Sequence, residues 1–193
     1  VTSTFSPVDI FKVNYIGPRR LTDKLMPRFS PGGAIACIAS TAAFNWQGDI
    51  NKIKPLVECE NYNDAVAWAE AQSSGIDAYT CSKSAVILWT LKSAYALAQR
   101  GLRMNCILPG PTETPFMEQQ TTITPSEAVD VFTIPINRRS TPAEQAAALV
   151  FLNSDQASYI NGVALPVDGG FMGGLVSGDI DLASLFALNP RGK

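Results

Sequence analysis

Three short apolar runs constrain this chain more than any other feature. "AIACIAS" (34–40) is continuously apolar rather than alternating, and "LRMNCILPG" (102–110) and "GVALPVDGG" (162–170) read as a second and a third strand. Strands of that kind are buried on both faces, which requires a parallel sheet covered by helices on each side. Between them lie segments with helical spacing. Residues 6–29 open with Ser6 and Pro7, a capping residue and the preferred first helical residue. A bend is expected at Gly17-Pro18, where the proline ring removes a backbone donor. Residues 78–101 are rich in Ala and Leu and closed by Gly101, and Thr141, Pro142 and Glu144 announce a helix over 142–155 with a reciprocal cap. The order helix, strand, helix, strand, helix, strand predicts right-handed crossovers and a doubly wound α/β fold.

Two stretches interrupt that rhythm. Residues 45–77 are polar, with two amphipathic pieces, and are expected to form a helical excursion outside the core layers. Residues 111–135 hold Pro111, Pro115, Pro125 and Pro135 and are long enough to read as a lid over a substrate. Its Phe116 and Met117, followed by Ile123, Val131 and Phe132, suit a hydrophobic or ring-bearing ligand.

Composition removes several classes of function. The net charge of −2 gives no basic field for nucleic acid or an anionic membrane. No apolar run reaches the length of a spanning helix, and the first residues lack the layout of a signal peptide, so a cytoplasmic protein is expected. Cys37, Cys59, Cys81 and Cys106 show no metal-binding spacing, and there is no histidine, so no metal is expected.

Without histidine, proton transfer needs another pair of groups. In "DAYTCSKSA" (77–85), Tyr79 and Lys83 are four apart and share one face of the predicted helix. A phenol titrates near 10, and a neighbouring ammonium favours its anion by about 1 to 3 pKa units, enough to make it a general acid/base near neutrality. In open parallel sheets ligands gather at the carboxyl ends of the strands, where Ser40 and Pro109-Gly110 fall. Ser40 is thereby placed to hold a carbonyl or alcohol oxygen against the tyrosine.

Taken together, Asn14 in "FKVNYIG", Ser40 in "IACIAST", "YTCSK" with Tyr79 and Lys83, "NCILPGPTET" and "INGVALPVDGG" resemble the short-chain dehydrogenase/reductase family over nearly the whole chain. The insertion and the later motifs look similar to its branch of hydroxysteroid dehydrogenase/carbonyl reductases and coniferyl-alcohol-dehydrogenase-like enzymes. The resemblance implies a Rossmann-type sheet and hydride transfer between NAD or NADP and a small-molecule alcohol or carbonyl. It implies that the tyrosine at Tyr79 moves the proton and that Lys83 lowers its pKa and holds the nicotinamide ribose. Ser40 would bind the substrate oxygen, and Asn14 would support a water relaying protons to the lysine. Pro109, Gly110, Thr112 and Thr114 would orient the nicotinamide and contact the pyrophosphate. Family members are commonly dimers or tetramers, so a homo-oligomer is expected.

The sequence departs from the family pattern in two places. The Thr-Gly-x-x-x-Gly-x-Gly turn is absent from residues 1–193, so the chain reads as one domain comprising the C-terminal two-thirds of a family member, with the strand at 34–40 presenting an unpaired edge. Ser40 and Tyr79 are also 39 positions apart, far more than in most members, and the excess is the 45–77 insertion. Two other readings stand beside the oxidoreductase: a non-catalytic binding or assembly protein of the same fold, and a Thr80-x-x-Lys83 nucleophile pair.

Overall fold

In the computed structural model, which describes residues 5–72, 75–115, 117–118 and 126–183 (127 and 128 by backbone alone), the three apolar runs form one parallel sheet. Its strands are β1 (Ala34–Ile38), β2 (Arg103–Pro109) and β3 (Ala164–Val167), with β2 in the centre. Cys37 lies opposite Cys106, and Pro109 opposite Val167, so the carboxyl ends gather along one edge. Among the described residues the helices are, in chain order, α1 (Pro7–Phe11), α2 (Gly17–Leu25), α3 (Trp46–Glu58), α4 (Tyr62–Ala71), α5 (Ala78–Ala98), α6 (Ser126–Asp130), α7 (Pro142–Asn153) and α8 (Phe171–Ser177).

Strand β2 shows why both faces of the sheet need cover. Met104, Cys106 and Leu108 are buried in the core that contains α5, while the alternate residues Arg103, Asn105 and Ile107 are buried on the other side. There the Arg103 guanidinium donates to the carbonyls of Leu152 (2.8 Å), Ser154 (3.0 Å) and Ile160 (3.3 Å). It thus serves carbonyls at the end of α7, which have no partner within the helix. At the other end of α7, Thr141 and Glu144 form the reciprocal cap expected from their spacing.

The middle of helix α5 is packed on all sides, whereas its last turns expose Lys92 and Tyr95. Ala85, Val86, Ile87, Leu88 and Trp89 are all buried, which no surface helix with a single apolar stripe would allow. Gly101 ends the segment with φ +68°, and the amide of Leu102 reaches back to Leu97 O.

The 45–77 segment corrects the expectation of an excursion outside the core. Ile53, Leu56 and Ala69 have no exposed surface, and α3 packs along α5. Trp68 meets Phe11 edge to face at 5.5 Å, and Trp89 meets Tyr15 at 6.1 Å. The polar residues of 45–77 cover the outside of a layer whose inner face is part of the main core. Trp46 packs against that core as well.

The expected bend at Gly17-Pro18 is also replaced. Lys12–Ile16 form a π turn, in which the Gly17 amide bonds to Lys12 O, and the chain then continues with helical dihedrals. The wide turn places Pro18 at the start of α2, where its missing N–H costs no helical bond. A Cβ on Gly17 would lie 2.8 Å from Lys12 O, so glycine is what lets the turn close.

Candidate active site

Tyr79 and Lys83 stand on the first turns of α5, and Asp77 fixes where that helix begins. Asp77 Oδ1 accepts from the amides of Tyr79 (3.1 Å) and Thr80 (3.2 Å), and Oδ2 accepts from the Thr80 hydroxyl (2.6 Å). Thr80 is therefore engaged as part of a helix cap. Lys83 Nζ lies 5.8 Å from the centre of the Tyr79 ring and donates to Ile38 O at 3.1 Å, which puts the pair against the end of β1.

Ser40 follows β1 and caps the 3-10 turn Thr41–Ala43, accepting from the Ala42 amide at 3.1 Å. Its hydroxyl acts on the Tyr79 phenol electrostatically, favouring the ionised form. Thr41 Oγ1 donates to Pro109 O at 3.0 Å, tying the ends of β1 and β2 together. Asn14 arrives on the π turn and donates through Nδ2 to Ser82 Oγ at 3.0 Å; Ser82 Oγ in turn donates to Tyr79 O at 2.8 Å. The fold thus assembles Asn14, Ser40, Tyr79 and Lys83 at one corner from three separate segments.

The residues after β2 continue the same edge. The Gly110 amide donates to Val167 O at 3.1 Å, and a Cβ there would lie 3.1 Å from Asp168 Cα, so this glycine permits a close crossing beside β3. Thr112 Oγ1 donates to Gly110 O (3.0 Å) and shares a hydrogen bond with Ser140 Oγ (2.9 Å). The Thr114 hydroxyl accepts from the Met117 amide at 3.2 Å. Met117 is half-buried, whereas Phe116 and Ile123 lie outside the described residues. In the rest of the 111–135 stretch, α6 leads into a 3-10 turn at Val131–Thr133, with Val131 buried.

The electrostatics reverse one expectation. Burial raises the Tyr79 phenol above its ordinary value; the Ser40 hydroxyl pulls it down and the Asp77 carboxylate adds to the rise. Lys83 was expected to lower it, but its ammonium is turned toward the Ile38 carbonyl, and desolvation dominates. Lys83 itself is lowered by burial, with a small opposing contribution from Cys37. The Cys37 thiol is pushed up to about 11, chiefly by burial, and so is a poor nucleophile. All four cysteines are free, and among the described residues no group of three His, Cys, Asp or Glu is placed to hold a metal. Among the described residues no helix is long and apolar enough to cross a membrane.

Two members of the corner were not picked out from sequence. Asp77 could have been, since an aspartate just before an apolar helix is a standard cap. Ser82 could not, because its role depends on Asn14, 68 positions away in the chain.

Comparison with known proteins bears on the family and the fold. The profile of the family described as enoyl-(acyl carrier protein) reductase matches residues 63–172. Coniferyl-alcohol dehydrogenase of a Pseudomonas species is 31% identical over 172 residues, covering 88% of this chain and 68% of that protein. The 3-alpha-hydroxysteroid dehydrogenase/carbonyl reductase of Comamonas testosteroni is 33% identical over 169 residues, covering 84% of this chain and 65% of the relative. The crystal structure of 3-alpha-hydroxysteroid dehydrogenase from Pseudomonas sp. B-0831 complexed with NADH superimposes with a TM-score of 0.75 at 33% identity, over 93% of this chain and 71% of that one. The chain therefore spans about two thirds of the length of these relatives.

Proposed function

Because the chain belongs to the short-chain dehydrogenase/reductase family, we propose that it works as an NAD(P)-dependent oxidoreductase on a hydrophobic or ring-bearing secondary alcohol or ketone, or on an aromatic alcohol or aldehyde. The observation that carries the reading is the placement of Lys83 Nζ 5.8 Å from the Tyr79 ring centre and against Ile38 O at the end of β1, the strand that Ser40 directly follows. The names of the relatives supply the substrate class, and the NADH bound to one of them supplies the cofactor class.

The residues present fit the nicotinamide-ribose part of such a cofactor. Lys83 is an ammonium with three N–H donors, of which the Ile38 carbonyl takes one, so donors remain for a pair of ribose hydroxyls. The segment Pro109, Gly110, Thr112 and Thr114 borders the same edge and is suited to orienting the ring. When bound, the nicotinamide supplies or accepts the hydride.

The protein's own part is to hold the substrate oxygen and move one proton. A carbonyl oxygen at this corner accepts hydrogen bonds from Ser40 Oγ and Tyr79 Oη, which polarises the carbonyl carbon. As that oxygen gains negative charge, the phenol gives it the proton, which completes the alcohol. The raised pKa keeps Tyr79 protonated and ready as an acid at neutral pH. Lys83, 5.8 Å from the ring centre and with its own pKa lowered by burial, is readied to return a proton once its ammonium turns from the Ile38 carbonyl to the phenolate left behind. Asn14 holds Ser82, which holds the Tyr79 carbonyl, so its direct contribution is to fix the first turn of α5.

The test is an assay of the full-length protein with NAD and NADP against a panel of cyclic ketones and aromatic alcohols, following reduced nicotinamide. Saturable turnover with one cofactor supports the reading. Cofactor binding without turnover of any substrate, or no binding at all, would favour the non-catalytic alternative.

A further inference from the structure

A cleft of about 390 Å³ opens at the carboxyl ends of β2 and β3, and neither Tyr79 nor Lys83 lines it. That volume lies within the range of small-molecule sites, roughly 300 to 1,000 Å³. Phe132, Ile136 and Pro166 give it apolar walls, and Gly110 and Pro111 border it from the end of β2. Its polar group of interest is Gln145, on α7, which is only 8% exposed.

The Gln145 amide has a fixed orientation and an unused acceptor. Nε2 donates to Ser140 Oγ and to Val167 O, both at 2.9 Å. A backbone carbonyl can only accept, so the nitrogen must face Val167 and the assignment of Oε1 follows. That Oε1 has no hydrogen-bond partner among the described residues. The other polar groups of the wall are engaged: Thr133 donates to Asp130 O, Arg138 pairs with Glu144, and Asp168 accepts from the amides of Gly170 and Met172. A buried carbonyl without a donor costs about 1 to 3 kcal/mol, which a fitting occupant would recover.

We propose that this cleft binds a small, largely apolar, ring-sized molecule that presents one N–H or O–H donor to Gln145 Oε1. The cleft shares Gly110 with the segment proposed to orient the nicotinamide, but its wall includes none of Asn14, Ser40, Tyr79 and Lys83.

Indole and indene make the test, because they share a shape and only indole carries a donor. Each is titrated into isotope-labelled full-length protein, with and without NADH. The side-chain amide signal of Gln145, identified by its loss in Gln145→Met, and the amides of Gly169 and Gly170 are followed. The expected result is that indole shifts these signals with an affinity about tenfold tighter than indene, and that NADH does not displace it. Ile136→Trp, at a half-exposed wall position, should abolish the shifts, with an unchanged unfolding midpoint showing that the fold is kept. This variant decides the matter even where Gln145→Met fails to fold. Equal binding of the two probes, shifts that map elsewhere, competition by NADH, or no binding up to solubility would each overturn the inference.

Discussion

Truncating Ile53 to alanine tests whether the 45–77 segment is part of the core. Ile53 has no exposed surface and sits where α3 packs along α5. Ile→Ala removes about three methylene equivalents, at ~0.8 kcal/mol each, for a transfer loss of ~2.4 kcal/mol. The cavity left between two helices adds to this, so a total of about 3 kcal/mol is expected, inside the ~2 to 5 kcal/mol range of such changes. With a urea slope of about 2 kcal/mol/M, the unfolding midpoint should fall by about 1.5 M. Urea denaturation followed by tryptophan fluorescence reads this directly, since Trp46, Trp68 and Trp89 all pack in the affected region. Gln47→Ala, at an exposed position of the same helix, is the control and should stay within about 0.5 kcal/mol of the parent. A midpoint shift below about 0.3 M for Ile53→Ala, with an unchanged slope, would refute the packing argument. Because α5 carries Tyr79 and Lys83, turnover should fall along with stability.

Other expectations follow from single contacts. Ser82→Ala leaves the Asn14 amide and the Tyr79 carbonyl without their shared partner, and should cost about 1 to 3 kcal/mol in denaturation. It should also lower kcat more than it changes KM. Gly17→Ala would ordinarily favour a helix, but its Cβ meets Lys12 O, so a thermal melt should show a lower Tm. Tyr15 is buried and its phenol is pushed up to about 12, so the folded state holds a proton that the unfolded chain releases from about pH 10. Stability from this group is full below pH 10 and falls as pH rises toward 12, by up to about 2.7 kcal/mol. Tyr15→Phe should flatten that alkaline loss in pH-dependent denaturation, at the cost of the bond from Arg19.

What the sequence made legible, and what it hid, divides by the range of the interactions. The strands at 34–40, 102–110 and 162–170 could be read because short, mostly apolar runs between turn signals have few ways to be buried, and the Thr141 cap because its partners are three residues apart. The Tyr79–Lys83 pair was legible for the same reason, helical spacing. The π turn was not, since it depends on how Lys12 O and the Gly17 amide meet rather than on any periodicity. The burial of Ile53 and Leu56 was hidden because a half-polar helix looks alike on a surface and over a core until its neighbour is known. The direction of the Tyr79 shift was hidden too: spacing brings a lysine near, but only the fold shows that its ammonium turns to Ile38 and that burial prevails.

The most direct measurement of the central claim is a comparison of wild-type protein and Tyr79→Phe, taking turnover and reduced-cofactor affinity from the same preparation. The account predicts that the variant loses nearly all turnover while its cofactor affinity stays within a few-fold, because the phenol oxygen moves the proton and Lys83 still holds the ribose. Turnover that survives in Tyr79→Phe would contradict the assignment of Tyr79 as the proton-transferring group.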